Sequence, residues 1–124
     1  MKADSGASTH FWRPKDKVAL DNIRKEKGPP VKMPNAAILK DDQVGNVPLS
    51  QHLSKSATKT RISNGLKSAR LVSLVQLVDD GCTTTITAPE LVVTKKDKII
   101  LKGKKELYGW FIWHTHLQRY NHRR

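Results

Sequence analysis

Asp4-Ser5-Gly6-Ala7-Ser8 is the stretch of this sequence best equipped for chemistry. A carboxylate followed by a small hydroxyl residue and a glycine can hold a water. The Asp presents its oxygens, the hydroxyl ties the loop to a neighbour, and the missing Cβ of Gly6 lets backbone N–H groups approach the carboxylate. Two such carboxyls at close range cannot both be charged, so they share a proton. The ionised one takes a proton from the water while the protonated one polarises the carbonyl of a peptide bond. The triplet Asp-Ser-Gly occurs once in the 124 residues. Hydrolysis by this route therefore requires a second Asp4 from another copy of the chain, and with it a twofold homodimer. Standing alone, the triplet also fits an ordinary surface turn, because Asp, Ser and Gly are common turn formers.

The other reactive residues are sparse. Cys82 is the single cysteine, so neither an intrachain disulfide nor a cysteine-based zinc site can be assembled within one chain. His114, His116 and His122 near the end lack the further ligands a metal site needs, and no metal or cofactor is expected. Lys and Arg number 23 against 11 Asp and Glu, a formal charge of +12. Such an excess suits a polyanion, since basic side chains gain affinity from phosphates by releasing condensed counterions. The charges are nevertheless spread over 15–27, 55–70, 95–105 and 119–124 with no helix-turn-helix, zinc finger or RNP-like aromatic run among them. A solvated basic surface with nonspecific affinity for nucleic acid is the expectation. No apolar run approaches membrane-spanning length and the first residues turn polar at once, so a cytoplasmic protein without a membrane partner is expected.

The elements that must position Asp4 read as short strands. Gly28-Pro29-Pro30 closes a charged stretch, 13–27, that has few apolar anchors and reads as a surface loop. Val31-Lys32-Met33, the turn chemistry of Pro34-Asn35-Ala36, and Ile38-Leu39 together read as a β-hairpin, with residues 44–49 extending its second arm. Residues 54–64 are polar and loop-like. Residues 66–78 form the most hydrophobic segment and fit a short strand running into a short helix, stopped by Asp79-Asp80-Gly81. Thr83-Thr84-Thr85-Ile86-Thr87 is β-branched throughout and reads as a strand. Residues 91–94 and 99–101 make a second hairpin around a charged turn. Tyr108, Trp110 and Phe111 concentrate aromatic mass near the end, and Trp110, Phe111 and Trp113 are expected to pack on the sheet or at an interface.

Four ordered blocks then resemble the aspartic protease of copia-type long-terminal-repeat retrotransposons. They are Ala3-Asp4-Ser5-Gly6-Ala7-Ser8-Thr9-His10; Val31-Lys32-Met33-Pro34-Asn35-Ala36; Gly45-Asn46-Val47-Pro48-Leu49; and the run from Leu66-Lys67-Ser68 through Ser73, Gln76 and Leu77 to Asp79-Asp80-Gly81-Cys82. The similarity covers residues 3 to about 101. It implies an all-β, retropepsin-like closed barrel with a β-hairpin flap and one short helix, paired as a twofold homodimer. A protease domain over 1–103 would begin inside the family's barrel, with its leading strand upstream of Met1, and an aromatic and basic tail would follow over 104–124. Asp4 is implied as the catalytic carboxylate, with Ser5, Gly6 and Ala7 supporting its loop. Met33, Pro34, Asn35, Ala36, Ala37 and Ile38 are implied as the flap that covers substrate; Ala36 stands where the family's flap turn usually carries Gly. Cys82 falls at an apolar position of the closing strand and reads as a buried small hydrophobe. The implied partners are a second copy of the chain and the element's own polyprotein as substrate, inside a virus-like particle. Two rival readings stay open: an inactive derivative of the same fold serving as a basic interaction module, and an unrelated nucleic-acid-binding protein.

Overall fold

The computed structural model describes residues 1–26, 31–32, 38–39, 43–63, 70–106 and 109–115. In chain order the strands and helices are β1 (Lys2–Asp4), β2 (His10–Trp12), a 3-10 helix (Pro14–Ala19), β3 (Asp21–Lys25), β4 (Val31–Lys32), β5 (Ile38–Leu39), β6 (Gln43–Asn46), α1 (Lys55–Thr58), β7 (Lys59–Ile62), β8 (Leu71–Ser73), α2 (Leu74–Asp79), β9 (Thr83–Ile86), β10 (Glu90–Lys95), β11 (Lys98–Glu106) and β12 (Gly109–Thr115). The all-β expectation holds. Ten strands form one mixed sheet in the order β3-β6-β7-β2-β8-β1-β12-β11-β10-β9, and β4 and β5 form a separate pair.

Several elements follow directly from local chemistry. Strand β10 alternates, with Leu91 and Val93 buried between Glu90, Val92 and Thr94, which is the period of a half-buried strand. Its hairpin with β11 turns through Lys96 and Asp97, both at positive φ (49° and 66°), the conformation that a tight two-residue hairpin requires. Helix α2 begins where the Ser73 hydroxyl accepts the Gln76 N–H, buries Leu74 and Leu77 one turn apart, and ends at Gly81 with φ +89°. Cys82 N–H then bonds back to Leu77 O at 3.1 Å, closing the last turn. Strand β2 is buried at all three positions because it lies inside the sheet between β7 and β8, and Trp12 is completely enclosed. Burying each of Leu49, Leu77, Leu91 and Ile100, all at most 1% exposed, contributes about 1.5–3 kcal/mol before entropy is counted.

Four expectations are corrected. The sheet does not close into a barrel among the described residues: its order is linear, ending in β3 and β9. Closure would need those end strands to bond, and β3 resists pairing on its free side. Its register against β6 breaks between Asp21 and Arg24, Asn22 sits at φ 53°, and its side chains are mostly exposed, three of the five being charged. A single hydrophobic cluster nevertheless reaches from Leu20, beside β3, to Leu91 and Val93 on β10. The stretch 13–27 is not one loop. It holds a 3-10 helix with Pro14 in its first turn and then the edge strand β3, anchored by buried Leu20. The polar stretch 54–64 contains α1, capped by Ser54, and β7, whose Thr60 and Ile62 are buried. Finally, residues 43–46 join the main sheet between β3 and β7 instead of extending the hairpin.

Strand β12 is the largest addition to the expected order. It lies between β1 and β11, with Ile112 buried and Trp110 packed against the core. The boundary expected between residues 103 and 104 therefore falls inside β11. Ile112 N–H bonds to Met1 O at 2.9 Å, so residues 1–4 and 109–112 are built as one unit.

Candidate active site

Strand β1 delivers Asp4 to the surface. It is a central strand, bonded to β12 on one side and running parallel to β8 on the other, with Asp4 opposite Ser73. The chain then leaves the sheet for residues 5–9 and returns as β2. Gly6 N–H donates to Asp4 Oδ1 at 2.7 Å. A Cβ at position 6 would lie 3.3 Å from that same oxygen, so a side chain there would crowd the carboxylate. Ser5 and Gly6 are exposed, and Ala7 is half-buried with its carbonyl accepting the Ser73 hydroxyl at 2.6 Å.

The far end of the loop is fixed by a buried polar network. His10, fully enclosed, donates its backbone N–H to Gln76 Oε1 at 2.8 Å. Its Nδ1 accepts the Ser73 N–H at 2.8 Å, which leaves the ring proton on Nε2 to be donated to Ala57 O at 2.7 Å. Gln76 completes the arrangement by donating Nε2–H to both Ser56 O and Lys59 O at 2.8 Å. One glutamine side chain thus satisfies three backbone groups on three segments. Burial lowers the His10 pKa to about 4, partly offset by the Ala57 carbonyl.

Beside Asp4 lies a cleft of about 350 Å³. Leu71, Leu74, Ile86 and Trp110 give it apolar walls, while Lys2, Ala3, Asp4, Ser5 and Gly109 complete its rim. Asp4 is the sole carboxylate among these lining residues. The pocket can hold an apolar side chain next to a carboxylate, and it draws on β1, β8, α2, β9 and β12 together.

Of the residues singled out from sequence, Asp4, Ser5, Gly6 and Ala7 are brought together at this loop. Ile38 lies in β5, opposite Lys32 of β4, with Val31 opposite Leu39, so the two arms of the expected flap hairpin are paired. Met33, Pro34, Asn35, Ala36 and Ala37 lie outside the described residues. Cys82 is buried in the core cluster, where burial pushes its thiol pKa up, as suits a small hydrophobe. Sequence alone assigns His10, Ser73, Gln76 and Trp110 no role at the site. The first three stood inside the quoted blocks, and Trp110 stood out only as aromatic mass. Among the described residues no group of three or more His, Cys, Asp or Glu is placed to hold a metal ion, and no helix is long and apolar enough to cross a membrane. No protein-family model, curated protein or solved structure matches the chain.

Proposed function

We propose that the chain is one subunit of a retropepsin-like aspartic endopeptidase, similar to those of copia-type retrotransposons, that cuts its own polyprotein. The observation that carries this reading is Asp4: a carboxylate bonded to the Gly6 N–H at 2.7 Å, on a pinned loop, facing an apolar cleft that contains no second acid. Two copies related by a twofold axis supply two Asp4 carboxyls that share one proton. The ionised carboxylate takes a proton from a water held between them. The resulting hydroxide attacks the peptide carbonyl carbon, and the other carboxyl gives its proton to the carbonyl oxygen. Collapse of the tetrahedral intermediate breaks the C–N bond, with a proton passed to the leaving amine. The β4–β5 hairpin is the flap, covering an extended peptide whose apolar side chain fills the cleft walled by Leu71, Leu74, Ile86 and Trp110.

The test is cleavage of an extended peptide with apolar side chains at mildly acidic pH, with pepstatin as inhibitor and Asp4→Asn as control. Cleavage that stops in the variant and with pepstatin supports the reading; cleavage that persists in the variant removes Asp4 from the chemistry.

One observation favours a second reading, a basic interaction module. Lys96, Lys98, Lys104 and Lys105 are exposed on the β10–β11 hairpin, on a chain of net charge +12. Binding to single-stranded RNA with a steep salt dependence, in the absence of peptide cleavage, distinguishes it.

A further inference from the structure

We propose that His10 is a positioning residue for Asp4, acting as an acid-released latch on the loop 5–9; this rests on the proteolytic reading and adds a mode of regulation to it. Three short elements meet at His10. Its Nδ1 holds Ser73 at the end of β8, its Nε2–H holds Ala57 in α1, and its backbone N–H is held by Gln76 in α2. Ser73 is also the residue whose hydroxyl anchors Ala7, three positions from Asp4. The loop is therefore tied at Ala7 to one serine, and that serine's backbone N–H is tied to the His10 imidazole.

The latch follows from the inventory of donors and acceptors. Neutral imidazole offers one acceptor and one donor, and here both are used. A proton added at Nδ1 turns the acceptor into a donor aimed at the Ser73 N–H, so two donors face each other where one bond stood. Among the described residues the acceptors bonded to His10 already serve its other donors, Gln76 Oε1 the backbone N–H and Ala57 O the Nε2–H. Charged side chains on the elements around the ring are Lys55 on α1, Lys59 and Arg61 on β7, Arg70 ahead of β8, and Asp79 on α2. Lys59 pairs with Glu26, Arg61 lies over Phe11 and Arg70 over Trp12. Burial, with the Ala57 carbonyl opposing it, sets the ring's affinity for protons. The latch therefore stays closed through mildly acidic pH and opens near pH 4.

The test is a pH titration of the full 124-residue chain by NMR of the histidine rings, with amide exchange of residues 5–9 read at each pH. The expected result is an Nε2–H tautomer for His10 that persists well below pH 6.5 and protonates near pH 4. Exchange of the loop amides rises roughly tenfold as it does, while the β10 amides of Leu91 and Val93 stay protected. In His10→Asn the amide oxygen can accept the Ser73 N–H but does not titrate, so loop protection becomes the same at pH 4 and pH 6. Should that variant not fold, Ser73→Ala removes the Ala7 anchor: the loop then exchanges fast at every pH while His10 still protonates near pH 4. His10 titrating near 6.5, loop protection indifferent to the charge on the ring, or an equal rise on β10 would each overturn the latch. Cleavage is scored apart. Loop coupling without cleavage at any pH defeats the proteolytic reading and leaves the latch standing, whereas cleavage without coupling defeats the latch alone.

Discussion

Asp4 and Asp80 are both aspartates at the end of a short element, and their surroundings are opposite. Asp80 follows α2 and accepts three hydrogen bonds, from Lys95 Nζ at 2.8 Å and from Ser54 Oγ and N at 2.5 and 3.1 Å. The Lys95 ammonium first, and then the Ser54 hydroxyl, hold its pKa down to about 2. That carboxylate joins the start of α1 to the end of α2 and to β10, and it is committed to the ionised state. Asp4 accepts one hydrogen bond, from Gly6, and forms no ion pair among the described residues. A carboxylate saturated with donors can hold structure but cannot exchange protons with a substrate. One that is positioned by its loop and left open on its cleft side can do the reverse.

The comparison breaks first at Asp4. Asp4→Asn is expected to reduce peptide cleavage by at least about 10³-fold, the span of a lost acid–base group, while the melting temperature stays unchanged. A variant that still cleaves would make the two aspartates equivalent. Next in size is an acid effect from His10. The unfolded ring binds a proton below about pH 6.5 and the folded ring only near 4. Stability is therefore full above pH 6.5 and falls by of order 3 kcal/mol as the pH drops to 4. Denaturant unfolding at pH 7 and pH 4 measures it, and His10→Asn should flatten that part of the difference. Asp80→Asn is expected to cost about 1–2 kcal/mol of stability, seen in the same unfolding assay, and to spare cleavage at pH 6. The smallest effect belongs to Gly6→Ala. Its Cβ would sit 3.3 Å from Asp4 Oδ1, so cleavage should fall while stability changes by less than about 0.5 kcal/mol.

What the sequence made legible was governed by local chemistry. The strand-to-helix passage at β8–α2, its stop at Gly81 and the β10–β11 hairpin were all written in alternation, caps and turn residues. The paired arms of β4 and β5 were read the same way. Strand β3 was illegible because an exposed edge strand carries almost no apolar signal, and α1 because four residues are too few for a helical period. Strand β12 was hidden because its aromatic residues follow Lys104 and Lys105 and precede a basic end, so the stretch from 104 onward read as a tail, although Trp110 and Phe111 pair with those same lysines of β11. At the site, the triplet around Asp4 was visible because it is contiguous. His10, Ser73 and Gln76 were not, since their meeting spans 63 to 66 positions in sequence and is made by the pairing of β1 with β8.

The central claim is that one chain carries half of a catalytic site. The most direct measurement is sedimentation equilibrium of the 14.0 kDa chain at mildly acidic pH during titration with pepstatin. The account predicts a complex of twice the chain mass that binds one pepstatin per two chains, and loss of that binding in Asp4→Asn. A chain that stays monomeric at every inhibitor concentration, or binds one pepstatin per monomer, would contradict it.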